Sequence, residues 1–566
     1  MITSSKHSPP PFRTVADLLT PSLVVDLDVF DANVAAMQQF ASSRQMRLRV
    51  HGKMHKCSQL ARRQIDQGAV GICVQKLGEA VMFWLGGVSD ILITNEIVCP
   101  RKLDLLMALS GHMSAAHQSV ADPRASSLRK QQIASDERLA AFIRQSTFCD
   151  VVPANEGNDD AREPHLGLCI DSLEGWNQLF AAWKRKFAAE KEQENPLPPP
   201  PASSTPVVVA SVTDPRRSRF FFDVYIELNV GQSRCGVEGG SDAALALLHR
   251  LRDDVHEAEN QIRSHAAAQH VPPLRLRGVH AYHGSAQHRR TLAERVEAIE
   301  AAKRTVETFV EKCEKRDGHS APQRKAQDDD DAFVVPLIVT GAGTGTFFIE
   351  STPVTLNAEG TVCRRGTPYR ELQPGSYAVM DVDYGRNRPF VPQDWDAIYG
   401  AAEDDVIPSS RPPAPPAFGR ALFVKAMVTG VYDDRFVLDA GQKNYSVDSG
   451  LPVVAAISRS SKTGNEPAAD FAFHEAVRDG LFSVTGSSDD HTVVKFSDHA
   501  CRDSNNLPLT GLIRPGDIAW LVPGHCDPTF NLYAQAYGVR GLASSQFSET
   551  APAECPLVVD ARGMQQ

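Results

Sequence analysis

Two observations predict an α/β fold in which a TIM-like (β/α)8 barrel is followed by a β-rich C-terminal domain. Short apolar segments alternate with helical patterns as far as about residue 384, and strands separated by helices form parallel sheets. Beyond that point short strand-like segments follow one another, separated by glycine, proline and aspartate. A barrel of this kind carries its site at the carboxyl ends of its strands.

Seven apolar segments and one flanking segment supply the eight predicted barrel strands. The seven lie near residues 47–53, 69–75, 90–95, 166–171, 220–230, 274–284 and 334–341. The eighth is either 23–27 or 377–382. Helical patterns lie between or beside them, at 31–43, 58–68, 241–254 and 289–315 among others. In the C-terminal domain, strands are predicted at 421–428, 435–438 and 517–522.

Composition shifts divide the chain into three parts. We expect an N-terminal extension over residues 1–19, the barrel over 20–384 and the β-rich domain over 385–566. Some segments are too polar, and too rich in proline, serine and alanine, to bury a core. They are expected to be mobile surface insertions, at 112–164, 190–217, 316–332 and 403–418.

The overall composition is that of an ordinary soluble globular protein. The chain has 566 residues, 42% of them hydrophobic and 23% charged, with a net charge of −10 that argues against nucleic-acid binding. No apolar run approaches the ~18 residues of a membrane helix, and no secretory signal precedes the first predicted strand. The 11 cysteines include no C-x-x-C pair, which favours reduced thiols and a cytoplasmic location.

A lysine surrounded by basic and imidazole side chains follows the first predicted barrel strand. Strand alternation would place Arg49, His51, Lys53 and His55 on one face. A lysine crowded by cations loses its proton more readily, as an amine that attacks an aldehyde cofactor must. Taken alone, the segment reads more simply as a surface strand with scattered positive charge.

Two further segments change that interpretation. Residues 280–288 contain Tyr282 and His288, and they lead from a predicted strand into a helical pattern. Residues 523–529 contain His525 and Asp527, which would project to the same side of an extended segment while Cys526 points away as a bystander. An imidazole and a carboxylate on one side suit a metal ion, although H-x-D by itself is a weak pattern.

Together the motifs resemble the D-threonine aldolase group of fold-type III pyridoxal-phosphate enzymes, whose barrel is similar to that of alanine racemase. The resemblance implies an alanine racemase-like cofactor-binding barrel and a D-serine dehydratase-like C-terminal domain that carries the metal motif. This chain departs from the family at Val50, where proline is usual, and in its long insertions. The matching segments are 20–28, 49–56, 68–80, 227–237, 280–288, 340–346, 373–377, 381–384, 439–441, 446–450 and 523–529.

The resemblance implies a site for pyridoxal 5′-phosphate. Lys53 would hold the cofactor covalently, Arg234 would face its pyridine nitrogen, and Tyr282 would pack beside it. Glycines at 341, 343 and 345 would let backbone N–H groups approach the phosphate. The complete predicted cofactor set is Lys53, His51, Gln75, Arg234, Tyr282, Thr340, Gly343, Thr344 and Gly345.

The resemblance also implies a divalent cation and a base. His525 and Asp527 would bind the ion, and an N,O ligand pair suits manganese or magnesium, with zinc as a further candidate. The ion would bind the β-hydroxyl of the substrate and lower its pKa. His288 is then the candidate base for that proton.

The predicted activity is that of a D-threonine aldolase, a carbon–carbon lyase that cleaves D-β-hydroxy amino acids to glycine and an aldehyde. The alternative is a D-serine or D-threo-3-hydroxyaspartate dehydratase on the same scaffold. Those relatives carry cysteine at the position of Asp527, which favours the aldolase. A non-catalytic cofactor-binding protein is a third possibility. The expected partners are a small-molecule substrate and a second copy of the chain, with neither nucleic acid nor membrane.

Overall fold

A computed structural model of the chain contains a closed parallel barrel and a nine-stranded sheet. The predicted fold class is therefore confirmed. The structure describes residues 13–118, 133–146, 164–192, 220–264, 271–316, 337–352, 355–356, 362–364, 367–391, 394, 414–458, 482–497, 513–545, 547–548 and 550–564.

The strands of the described residues are numbered in chain order. In the first half they are β1 (Ser22–Asp26), β2 (Arg47–His51), β3 (Gly71–Val74), β4 (Asp90–Ile93), β5 (His165–Ile170), β6 (Phe222–Glu227), β7 (Leu274–Ala281), β8 (Ile338–Gly341), β9 (Thr355–Leu356), β10 (Val362–Arg364) and β11 (Glu371–Leu372). The remainder are β12 (Leu422–Val431), β13 (Arg435–Leu438), β14 (Val453–Ser458), β15 (Phe482–Ser487), β16 (Thr492–Phe496), β17 (Ile518–Val522), β18 (Gln535–Val539) and β19 (Ala553–Val558).

Helices separate the barrel strands, as predicted. They are α1 (Leu27–Ser43), α2 (Ser58–Asp66), α3 (Leu77–Leu85), α4 (Pro100–Gln118), α5 (Glu137–Ser146), α6 (Leu173–Glu192), α7 (Asp242–Arg263), α8 (Leu292–Arg316), α9 (Phe347–Glu350), α10 (Val382–Gly385) and α11 (Cys526–Asn531). The start of α1 is fixed by Asp26, whose side chain accepts hydrogen bonds from the N–H groups of Asp28 and Val29, as a good N-cap does.

The barrel runs in the order β11-β2-β3-β4-β5-β6-β7-β8 and closes on itself. The prediction of its eighth strand was wrong. The segment at 23–27 lies in the other sheet as β1, and residues 376–378 form a 3₁₀ turn. The eighth strand is β11, which pairs with β2 and β8 and has only two residues, too few to leave a periodic pattern in the sequence.

Charged side chains close the amino-terminal end of the barrel. The buried guanidinium of Arg49 lies 2.5 Å from Asp90 and 2.8 Å from Glu371. The ring of His165 lies 2.9 Å from Asp90 and 2.5 Å from Asp223. Burial alone would lower the pKa of His165, but the two carboxylates raise it to about 9. This network leaves the opposite, carboxyl-terminal end for a site.

The second sheet contains the strands after β11 together with β1. Ser22 pairs with Lys425 of β12 in antiparallel register, and Val24 pairs with Tyr537 of β18 in parallel register. The sheet therefore holds both ends of the chain. Among the described residues, no helix is long and apolar enough to cross a bilayer.

The predicted insertions are only partly covered by the described residues. Helix α4 continues to Gln118 and α5 spans Glu137–Ser146. Helices therefore occupy part of the segment at 112–164 that was expected to be irregular, and the amphipathic pattern of α5 explains why. Most of the other three insertions lies outside the described residues.

Candidate active site

A cavity with about 510 Å³ of empty space lies where the carboxyl ends of the barrel strands meet the segment that precedes α11. Its lining comes from both parts of the chain. It consists of His51, Lys53, Met54, Tyr282, His288, Gly343, Thr344, Gln373, Gly375, Ser376, Tyr384, His525 and Asp527.

Most of the residues predicted for the site are brought together in this cavity. The eight that line it are His51, Lys53, Tyr282, His288, Gly343, Thr344, His525 and Asp527. The four that do not are Gln75, Arg234, Thr340 and Gly345. The predicted base and the predicted metal ligands thus share one cavity with the predicted cofactor lysine.

Lys53 lies in a 3₁₀ turn, Gly52–Met54, directly after β2. The chain leaves the strand at His51, so the expected single face of four basic residues does not form. Instead, the ring of His55 turns away and hydrogen-bonds Gln64 over 3.1 Å. Arg49 points to the amino-terminal end of the barrel.

A carboxylate, and not a set of cations, controls the charge of Lys53. Its Nζ lies 3.5 Å from Oδ2 of Asp527. Burial alone would lower the pKa of Lys53, but the carboxylate of Asp527 outweighs it and raises the pKa above the ordinary value. The expectation of a pKa lowered by neighbouring cations was therefore wrong, because the sequence did not reveal that Asp527 faces this amine.

His51 supports the lysine from behind. Its Nδ1 accepts a hydrogen bond from the backbone N–H of Lys53 over 3.3 Å, and its Nε2 lies 3.0 Å from the amide nitrogen of Gln75. Burial, and then the charge of Lys53, hold the pKa of His51 well below its usual value. The neutral ring therefore fixes the turn that carries Lys53, and Gln75 acts through it from outside the cavity.

His288 occupies the end of a 3₁₀ turn that follows β7, Gly284–His288. Its Nδ1 lies 2.5 Å from Oδ2 of Asp383, and its ring centroid lies 5.2 Å from that of Tyr384. Asp383 also pairs with Arg290. Burial would raise the pKa of Asp383, but the charges of Arg290 and His288 lower it. With Nδ1 held by a carboxylate, Nε2 is the nitrogen of His288 left for a ligand.

His525 and Asp527 approach each other at the start of a helix. His525 caps α11 and Asp527 lies in its first turn, so the expected extended segment was wrong, although both side chains reach the cavity. His525 Nε2 lies 4.0 Å from Asp527 Oδ1. On its other side, His525 Nδ1 lies 2.7 Å from Asp448. Burial opposes the charged ring, but the carboxylates of Asp527 and Asp448 raise the pKa of His525.

Two turns contribute backbone to the cavity lining. Gly343, Thr344, Gly375 and Ser376 line it, and their N–H groups have no acceptor among the described residues. The N–H of Gly345 donates to the side chain of Gln287 over 2.9 Å. Gly345 itself does not line the cavity.

Arg234 and Thr340 lie outside the lining. The guanidinium carbon of Arg234, an exposed residue, is 5.9 Å from the centroid of the Tyr282 ring. Thr340 is buried beneath the cavity, where its hydroxyl donates to Glu371 over 2.9 Å and accepts from the amide of Gln373 over 2.7 Å. Of these two hydrogen-bonded residues, Gln373 lines the cavity and Thr340 does not.

Comparisons with known proteins find similarity over nearly the whole chain. A family model described as "Putative serine dehydratase domain" matches residues 421–539. D-threonine aldolase from Arthrobacter sp is 28% identical over 94% of this chain and 93% of its own. 3-hydroxy-D-aspartate aldolase from Paracoccus denitrificans (strain Pd 1222) is 27% identical over 93% of this chain and 89% of its own. The crystal structure of D-threonine aldolase from Filomicrobium marinum, 24% identical, covers 99% of this chain and 100% of its own with a TM-score of 0.60, which shows a common fold.

Over nearly its whole length the chain is similar to members of the D-threonine aldolase and D-serine dehydratase-like family. This family consists of pyridoxal-phosphate lyases that cleave or dehydrate D-β-hydroxy amino acids.

Several cavity residues were missing from the predicted set. They are Met54, Gln373, Gly375, Ser376 and Tyr384. All five lie in sequence segments that resemble the D-threonine aldolase family, at 49–56, 373–377 and 381–384. Those segments were the signal that could have found them.

Proposed function

We propose that the protein is a pyridoxal-phosphate- and divalent-metal-dependent D-threonine aldolase that cleaves D-β-hydroxy amino acids to glycine and an aldehyde. One observation carries the proposal. Lys53, His288 and the pair His525–Asp527 line the same cavity. An amine for an aldehyde cofactor, a base, and an imidazole–carboxylate pair for a cation are the three components that this cleavage needs.

The residues present fit pyridoxal phosphate. Lys53 lines the cavity, and so do residues 343–344 and 375–376, whose backbone N–H groups have no acceptor among the described residues. Such unpaired donors suit a phosphate group. Thr344 adds a hydroxyl, which accepts a hydrogen bond from the backbone N–H of Tyr377 over 3.0 Å. The phosphate would bind between these two turns.

The residues also fit a divalent cation. The 4.0 Å between His525 Nε2 and Asp527 Oδ1 leaves room for an ion that contacts both. Asp448 holds the other nitrogen of the imidazole, as a carboxylate behind a metal-binding histidine commonly does. The two protein ligands leave most positions to water and substrate, which suits manganese or magnesium.

When bound, the cofactor would stabilise negative charge on the carbon left by cleavage, and the ion would acidify the β-hydroxyl. The protein side chains then have separate tasks. His288 Nε2 takes the proton of the β-hydroxyl, since Asp383 holds its Nδ1. Lys53 Nζ binds the cofactor aldehyde before and after each turnover.

The choice between aldolase and dehydratase rests on Asp527. An ion held by a carboxylate retains and polarises the substrate oxygen, whereas the dehydratase reading requires the ion to remove hydroxide.

The deciding experiment is product analysis. Purified protein loaded with pyridoxal phosphate is given D-threonine, with a chelator and then with manganese restored, and L-threonine serves as the control. We expect glycine and acetaldehyde only from the D-isomer and only with metal. Formation of 2-oxobutyrate and ammonia would establish the dehydratase instead. Absence of any turnover by yellow, metal-loaded protein would favour the non-catalytic alternative.

A further inference from the structure

Three side chains able to bind a metal face one another inside the barrel, below the cavity. Cys169 lies on β5, Glu227 on β6 and His280 on β7. One donor atom from each lies within 4.8 Å of the other two, and all three residues are buried. We propose that these residues form a second metal site, which takes a zinc-like divalent cation and is separate from His525 and Asp527.

A chain of hydrogen bonds fixes the protonation of His280. The hydroxyl of Thr340 donates to Glu371 over 2.9 Å, so it accepts from the amide nitrogen of Gln373. The amide oxygen of Gln373 must then face Nε2 of His280, 3.2 Å away. Nε2 therefore carries a hydrogen, and Nδ1 is the ring nitrogen whose lone pair can bind a metal.

That lone pair points toward an anion. His280 Nδ1 lies 3.1 Å from Oε2 of Glu227, but out of line for a hydrogen bond, and neither atom has a hydrogen-bond partner among the described residues. Two electron-rich atoms facing each other in a buried position are costly. A cation between them removes that cost.

The thiol of Cys169 determines which cation fits. A thiolate, an imidazole and a carboxylate supply two negative charges, so a divalent ion makes the buried group neutral. Sulfur and nitrogen donors favour zinc over manganese or magnesium. The two sites of this chain would therefore select different metals, since the pair at His525 and Asp527 offers only nitrogen and oxygen.

A second cluster of possible ligands lies next to the buried site. Glu96, Asp171 and Cys235 are half-buried, and they also offer donor atoms within 4.8 Å of one another. The carboxylates of Glu96 and Glu227 interact with each other, so the two clusters are neighbours.

The test is metal content and spectroscopy of the full chain, measured in a His525→Ala background that disables the other site. After brief dialysis against a chelator, we expect zinc to remain at one equivalent. Cobalt should replace it and give a thiolate charge-transfer band. Cys169→Ala should remove the band and weaken zinc binding about tenfold or more, whereas Cys73→Ala, a buried cysteine from the same barrel interior, should change neither.

Two results would overturn the proposal. One is protein without His525 that holds no zinc and shows no cobalt–thiolate band, which would mean that a proton alone bridges Glu227 and His280. The other is a band that survives Cys169→Ala. If Cys169→Ala does not fold, His280→Gln serves as the second variant. The zinc content and the cobalt band of the His525→Ala protein, in which Cys169 is unaltered, test the proposal without either variant.

Discussion

Asp383 holds the imidazole of His288 from the side opposite the cavity, with 2.5 Å between its Oδ2 and Nδ1. This pair resembles the carboxylate–imidazole arrangement of many general bases, in which the acid fixes the tautomer and orientation of the ring. The neighbouring Arg290 keeps Asp383 ionised. Catalysis by His288 should therefore depend on a residue that touches no substrate.

Asp383→Asn should lower kcat of the aldol cleavage about 10- to 100-fold with little change in KM, because the amide no longer stabilises the tautomer that accepts a proton at Nε2. Steady-state kinetics with a pH profile measure this effect. His288→Ala should lower kcat at least as much, and the double variant should be no worse than His288→Ala alone. A rise in KM at unchanged kcat would show that Asp383 shapes the binding site instead.

Removing the charge of Lys53 should strengthen metal binding by cofactor-free protein. The ammonium lies 3.5 Å from Oδ2 of Asp527, so it competes with a cation for the same carboxylate. We expect Lys53→Met to bind manganese about tenfold more tightly than the unaltered chain, measured by calorimetry without cofactor. Lys53→Arg, which keeps the charge, is the matched control, and equal affinities for all three proteins would contradict the competition.

Asp448→Asn should weaken metal binding without removing a ligand. The carboxylate fixes His525 through Nδ1, and loss of such a partner costs about 10- to 100-fold in metal affinity. Activity titrated against manganese should show the loss, and kcat at saturating metal should remain close to that of the unaltered protein. Asp434→Asn alters an exposed aspartate paired with Arg435 and should have no effect. A kcat that stays low at saturating metal would mean that Asp448 has another role.

The stability of the barrel should fall at alkaline pH because of His165. The folded pKa of His165, about 9, lies above its ordinary value of 6.5. The contribution of protonated His165 to the free energy of unfolding is therefore complete below about pH 6.5, and it is lost as the pH rises through 9. The full loss is on the order of 3 kcal/mol. Denaturant unfolding between pH 6 and pH 10 should show this slope in the unaltered protein.

His165→Gln provides the comparison for that measurement. It should be less stable at pH 6, since Asp90 and Asp223 lose the charge between them, and its stability should change less between pH 6 and pH 10. Parallel curves for the two proteins over this range would exclude His165 as the source of the alkaline loss.

The sequence predicts best what depends on local pattern. The buried barrel strands read as short apolar runs, and β13 was predicted at its observed bounds, 435–438. The eighth barrel strand was not, because Glu371 and Leu372 pair at both edges through backbone alone. The sequence also did not show which sheet contains β1, because its partners β12 and β18 lie far along the chain.

In the site, too, local motifs could be predicted and long-range contacts could not. Motifs identified Lys53, His288, His525 and Asp527, since each residue type is required by the chemistry. Their mutual contacts could not be predicted. The approach of Asp527 to Lys53 reverses the expected shift in the pKa of the lysine, and it depends on how the C-terminal part of the chain packs over the barrel.

The position of β1 has a consequence for synthesis. Ser22 pairs with Lys425, so β1 is synthesised about 400 residues before the strand with which it pairs. The barrel strands, by contrast, follow one another closely and can assemble in the order in which they are made. During synthesis the barrel strands are therefore complete while β1 still lacks its sheet partners. β1 remains an apolar strand with unpaired edges until β12 and β18 have left the ribosome.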